Sequence, residues 1–413
     1  MPRRGALLYA LLVFLAGASL IREAAVGRLA PLDEAWAGQL ARRATPHSTP
    51  ARVTLVEIGD DTISKHEWPW GPDDLALFFH AVLPFEPAVL GIEPILDFER
   101  GSLGIRERQP MYEKMLHDQV LRSPKLVLGG LLGWPQDADT VPELQPMPVL
   151  RKIRGDLSRV PEFTAVDSWS AEEFRLTTQP GWLNIPDGIG PLGRCPLVLR
   201  YRGQPVPAIV LQLVMHVEKI TLDEVEVVLG SHVSLGSHLT VPIDDTGRML
   251  VNFGASFGRV SFDDLLLTRE QLDRKEAPTH PPELFSGRLV MLARTDGLSR
   301  TLAAPGGRKV AAGELFAAAL ATVEIGAHPH RVGVEFDWAM VGLVAFSALW
   351  LRKWKPRYAV LGVVALLAAY AGWAFAVFRS QSLVSPAVLP AGLAVWVLLL
   401  RSVARRIEKV IAF

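Results

Sequence analysis

The chain has 413 residues, enough for two or three units at about 150 residues each. Its 43 basic residues equal its 43 acidic ones, so it lacks the overall basic field of a nucleic-acid binder, and no nucleic acid is expected as a partner. A single cysteine, Cys195, excludes an internal disulfide framework and a cysteine-built zinc site, while 49 % hydrophobic content and a positive mean hydropathy are high for a wholly soluble protein.

The first segment, 1–21, holds the charge-free run GALLYALLVFLAGASLI behind Arg3 and Arg4. Crossing a bilayer takes about 20 predominantly apolar residues, so this run reads as a transmembrane helix or signal anchor. The small residues before Ser19 resemble a cleavage site and keep a cleaved signal peptide as the rival. Residues 22–50 form a linker, in which LDEAWAGQLARRA has amphipathic helical spacing and ATPHSTPA is rich in Pro, Ser and Thr. From 51 to 330 the pattern alternates. RVTLVEI reads as a buried strand, DDLALFFHAVLPF as a helix, AVLGIEPIL as a strand, MYEKMLHDQVLRS as a helix and KLVLGGLL as a strand. Such alternation predicts a mainly parallel sheet covered on both faces. Residues 134–180 are proline-rich and mixed and give no assignable element. Further strands are expected at CPLVLRYRG, EVVLG, MLVNFG and RLVMLA, with helices at AIVLQLVMHVEKI and GELFAAALATVEIG.

Three apolar runs follow, at 334–351, 358–378 and 383–400, and then a short tail, 401–413. Arg3 and Arg4, the loop RKWKPR and the tail's Arg401, Arg405, Arg406 and Lys409 are basic, whereas RSQS carries Arg379 alone. That alternation predicts both termini inside and the middle segment outside the cell membrane. The expected fold class is therefore an α/β extracytoplasmic domain with a mainly parallel sheet, plus one N-terminal and three C-terminal transmembrane helices. The lipid bilayer is its first partner.

A series of short motifs along the middle segment is more specific. LVEIGDD is followed by WPW, by the apolar stretch LALFFHAVL and by GIEPILDF; later come GWLNIPDGIGPLGRCPLVLRY, MLVNFG, SGRLVMLA and AAGELFAAALATVEIG. In this order they resemble the CHASE domain of the second type, an extracytoplasmic sensory module attached to bacterial cyclases and histidine kinases. The resemblance covers about residues 50–400, including the three closing apolar runs. It implies a sensory domain for an unknown signal, a small-molecule ligand of unknown identity or a state of the envelope. Departures affect the ligand site more than the fold. Gly59 stands before Asp60 where the family has Ile-Asp, Gly71 and Pro72 replace Pro-Arg, Asp296 precedes its glycine with Arg300 in the usual Asp place, and Phe316 replaces a helical His. Only RSVARRIEKVIAF follows the last apolar run. The fused kinase or cyclase implied by the resemblance thus has no counterpart, and output is expected through a separate cytoplasmic signalling partner.

Candidate site residues come from the strand ends, where open α/β sheets bind ligands. Asp60, Asp61, Glu93 and Asp97 follow two strands expected to be neighbours, and four carboxylates there suit a hard cation. The plainer alternative is that Asp61 or Thr62 caps a short helix while the others are solvated or ion-paired. Trp68 and Trp70, joined by Pro69, offer either a ligand cage or a bracket seating the next helix on the sheet. No Gly-x-Ser-x-Gly, phosphate-cradling Gly-Lys-Ser/Thr or His-Glu-x-x-His occurs, so no catalytic residue, no metal and no cofactor is expected. His328 and His330 are too close in sequence for a helical ligand pair, and Cys195 reads as a buried thiol. In the tail, Val403, Ile407, Val410 and Ile411 recur at helical spacing. The leading expectation is a non-enzymatic membrane sensor. A structural component of an envelope complex and a metal-dependent envelope enzyme are the alternatives.

Overall fold

Successive residues of VTLVEI fall into two different apolar layers, and that alternation sets the architecture. Val53 and Leu55 join one buried cluster while Val56 and Ile58 join another, as the two faces of a strand require. The computed structural model describes residues 3–25, 28–42, 50–96, 110–123, 125–134, 147–186, 193–304, 308–351, 354–381 and 383–411. The chain divides into one unit formed by Pro46–His328 and another formed by Met1–Thr45 with Pro329–Phe413. Its helices, in chain order, are α1 (Arg3–Ala25), α2 (Ala30–Arg42), α3 (Asp60–Lys65), α4 (Pro72–Val82), α5 (Pro110–Arg122), α6 (Glu172–Arg175), α7 (Ile209–Glu218), α8 (Phe262–Asp273), α9 (Ala312–Glu324), α10 (Val334–Leu351), α11 (Pro356–Gln381) and α12 (Val388–Ile411).

The main sheet of the Pro46–His328 unit contains β1 (Val53–Ile58), β2 (Val89–Ile92), β3 (Leu126–Gly133), β4 (Ala165–Trp169), β5 (Gln179–Trp182), β6 (Gly258–Ser261) and β7 (Leu289–Arg294). Their order is β6-β1-β7-β2-β3-β4, with β5 also paired to β3. The pairs from β6 to β3 are parallel, and β4 runs antiparallel to β3. The fold is thus mixed α/β with a largely parallel sheet. One expectation is corrected here: β7, late in the sequence, inserts between β1 and β2, placing Ile58 opposite Arg294 and Leu292 opposite Ile92. The two acid-bearing strands are not neighbours.

Helices cover both faces. Leu75, Phe78 and Phe79 of α4 recur at helical spacing and pack with Leu116 of α5 and Phe262 and Leu265 of α8 over one face. Ile209 and Leu213 of α7 and the alanine-rich stretch of α9 cover the other. Each large side chain so enclosed stabilises the fold by about 1.5–3 kcal/mol. Helix α4 starts where Pro72 presets the first turn and the Asp74 carboxylate accepts the Gly71 N–H at 3.2 Å. Residues 134–180, unassigned from sequence, contribute β4, the start of β5, α6 and short strands at Lys152–Arg154 and Glu162–Phe163 within the described part. Small sheets flank the main one, among them His232–Leu235 between Val225–Val228 and Leu239–Pro242.

In the other unit, α1 packs on α10 and α12 through Tyr9, Val13, Val341, Leu389 and Leu393. A side chain at Gly17 would meet Val341 at 2.6 Å, so glycine permits the close α1–α10 approach. Asp33 of α2 accepts the Ala387 and Val388 N–H groups at 2.8 and 3.0 Å, capping α12. The last apolar run becomes helical only at Val388, since Leu383 and Val384 pair with His330 and Arg331. The first three apolar runs lie on α1, α10 and α11, and most of the fourth lies on α12. Among the described residues, one helix is long and apolar enough by itself to cross a membrane, over Pro356–Arg379.

Candidate functional site

The carboxyl ends of β1, β2 and β7 deliver the residues singled out by sequence. Beyond β1 the chain turns directly into α3, whose N-cap is Gly59 without any side-chain cap. Neither Asp61 nor Thr62 is therefore the cap; Asp60 and Asp61 sit in the first turn, where carboxylates complement the positive helix end. The Thr62 hydroxyl instead donates to Asp263 at 2.8 Å. Asp60 reaches across to the turn after β7, its Oδ1 accepting the Gly297 N–H at 2.9 Å. Asp61 is exposed, and its carbonyl accepts from the Ser64 hydroxyl. Asp97 lies outside the described residues.

Glu93, just past β2, accepts the Arg294 backbone N–H through Oε2 at 2.7 Å. Burial disfavours its charged form more than that hydrogen bond favours it, and pushes the carboxyl up to about 7. Arg294 ends β7 and is the hub of the edge. Its guanidinium donates through Nε and Nη2 to both oxygens of Asp296 at 2.8 Å and lies 4.2 Å from the ring centre of Trp68. Asp296 is only 2 % exposed. Burial on its own raises the Asp296 carboxyl, but the Arg294 guanidinium and the Leu298 N–H outweigh it and hold the group below its ordinary value.

The two tryptophans do different things. Trp70 is 4 % exposed and packs tilted against Phe262, ring centres 4.5 Å apart, within the apolar cluster that holds α4 to the sheet. Trp68 is half-buried and faces Arg294. His66 sits beside Trp70, its carbonyl accepting the Trp70 Nε1–H at 3.4 Å, while its ring pairs with Asp74 at 3.1 Å and meets Phe262 edge-on. The edge therefore gathers Asp60, Trp68, Trp70 and Glu93 around Arg294 and Asp296, neither of which the sequence reasoning selected. The signal was present in ARTDG, where Asp296 falls two residues after Arg294 at a strand end. No three metal-ligating side chains converge among the described residues. What the edge offers chemically is a paired guanidinium beside an aromatic face and a carboxyl that titrates near neutrality.

Other motif residues serve the frame. Asn184 accepts the Leu132 N–H and donates to the Leu132 carbonyl at 2.8 and 2.7 Å, where β3 shifts register against β4. Asn252 donates to the Ala327 carbonyl and accepts the Gly254 N–H, while its own N–H bonds the Thr322 hydroxyl. Arg300 donates to the Ile185 carbonyl at 2.7 Å.

Fold and edge together define a doubly covered, largely parallel α/β domain in a chain that also carries a long apolar helix. Within that class the chain belongs to the CHASE2 domain family, whose model matches residues 7–352. CHASE2 domains are sensory extracellular domains. No curated protein and no solved structure matches the chain.

Proposed function

We propose that the chain is a multi-pass membrane sensor whose α/β unit lies outside the cell membrane and whose helices pass its state to a separate cytoplasmic signalling partner. The observation that carries the reading is the CHASE2 match over residues 7–352, which takes in the whole α/β unit together with α10 and most of α1. The alternation of basic and poorly charged connections supports four crossings, by α1, α10, α11 and α12, with both ends inside. Helix α12 continues without a break to Ile411, so the basic tail prolongs an apolar helix and suits docking of a partner at the inner surface. The ligand-facing edge in this reading is the carboxyl end of the sheet, with Asp60, Trp68, Trp70 and Glu93 near Arg294, and with Asp61 and Asp97 as further candidates on sequence grounds. No catalytic step is assigned.

Copurification tests the relay. Intact chain, crosslinked in membranes and solubilised, is expected to bring down a cytoplasmic protein that is lost when Arg405 to Phe413 are deleted, with insertion unchanged. A protein recovered equally from both chains removes the tail from signalling, and no cytoplasmic protein from the intact chain overturns the relay.

A further inference from the structure

The opposite edge of the sheet, where the strands begin, holds a cavity of about 280 Å³. Its apolar part is lined by Val53 of β1, Leu289 of β7, Val214 of α7 and Leu320 of α9. That volume approaches the lower bound for small-molecule pockets, about 300 Å³. Its charged groups come from the ends of the same elements. Glu218 is the last residue of α7 and Glu324 the last of α9, so two helix C-termini, each bearing partial negative charge, border one apolar cavity. Glu324 is matched by Arg52, whose Nε donates to it at 2.9 Å and whose backbone N–H also bonds it. Among the described residues, the partner of the Glu218 carboxylate is an imidazole, His238 Nε2, at 3.0 Å. The lining thus carries two carboxylates against one guanidinium and one imidazole.

We propose that this cavity is a binding site for a small organic amine: an apolar body against Val53, Leu289, Val214 and Leu320, with its ammonium on Glu218. The site is separate from the carboxyl edge and does not depend on the ligand assignment there. Its position gives binding a consequence. Arg52 immediately precedes the first strand and Glu324 ends the last helix of the α/β unit, so an occupant touches the chain where it enters that unit and where it leaves. The Arg52–Glu324 ion pair, which joins those two points, belongs to the same lining, so an amine seated on Glu218 lies beside it.

The test uses the full chain in lipid nanodiscs and three water-soluble probes of the same size: cyclohexylmethylamine, cyclohexylmethanol and cyclohexanecarboxylate. Thermal unfolding is followed by tryptophan fluorescence. The amine is expected to raise the midpoint saturably, the alcohol to do so weakly and the carboxylate not at all. Glu218→Gln keeps the shape of the side chain and is expected to weaken the amine roughly tenfold or more, since a charge-assisted bond is lost. Leu320→Trp, which fills the cavity, is expected to abolish the shift. Should Leu320→Trp fail to fold, the Glu218→Gln comparison decides alone. An absent amine effect, equal effects of amine and carboxylate, or an undiminished effect in Glu218→Gln would each overturn the site.

Discussion

Trp70 and Trp68 stand two residues apart, yet their surroundings separate their roles. Trp70→Ala removes a ring that is 4 % exposed from between Phe262 and the helix-bearing face, and is expected to destabilise the chain by about 3–5 kcal/mol. Trp68→Ala loses a half-buried ring and a cation–π contact of about 1 kcal/mol, and is expected to lower the melting midpoint less. Midpoints measured side by side check this; equal losses would contradict it. Glu93 gives a pH signature. Its folded carboxyl titrates near 7, above the ordinary 4.5, so the stability it contributes is fully present below about 4.5 and lost as pH rises through about 7. Asp296 works in the opposite sense, losing stability as pH falls through its depressed value. Comparison with Glu93→Gln isolates the first effect. From about pH 5 to about pH 8 the parent is expected to lose up to about 3 kcal/mol relative to the variant in denaturant unfolding. A difference that does not change with pH would contradict the enclosure of Glu93. Sequence singled out Glu93 and the tryptophans by their place after strands. It missed Arg294 as their hub because nothing local says that β7 lies between β1 and β2.

At the scale of elements, legibility followed the length of the apolar run. VTLVEI, KLVLGGLL and RLVMLA are each mostly apolar over at least six residues, and all three form interior strands of the main sheet. The strand Gly258–Ser261 escaped notice because Val260 is its only large inward residue, and the region 134–180 because its strands are short and interrupted by proline. Strand order was invisible for a different reason: parallel pairing depends on crossovers whose helices fit either neighbour. One close contact between a covering helix and the inserted strand is testable. Gly313, at the start of α9, lies so close to β7 that an added Cβ would sit 2.2 Å from that of Ala293. Gly313→Ala, favourable for an isolated helix, is expected instead to destabilise the chain by about 1–3 kcal/mol through overpacking. An unchanged or raised melting midpoint would show that α9 can shift away from the sheet at little cost.

For the whole molecule, the central claim is that an α/β sensory unit is held outside the membrane by helices that begin and end inside. The chain brings its own control. Cys195 is the sole cysteine and is fully enclosed, and burial drives its thiol far above the ordinary range, so the unmodified protein should not react with a maleimide. Apolar runs made the helices legible, but hydropathy alone decides the number of crossings less firmly, since α10 starts with Glu335 and Asp337 and α12 ends in a basic stretch. The decisive measurement is labelling of two single-site variants in intact cells with a membrane-impermeant maleimide. Ser237→Cys places a thiol on an exposed turn of the α/β unit, and Glu408→Cys places one in the tail. The account predicts that the first labels in intact cells and the second only after lysis. Labelling of Glu408→Cys from outside, or protection of Ser237→Cys until lysis, would contradict it.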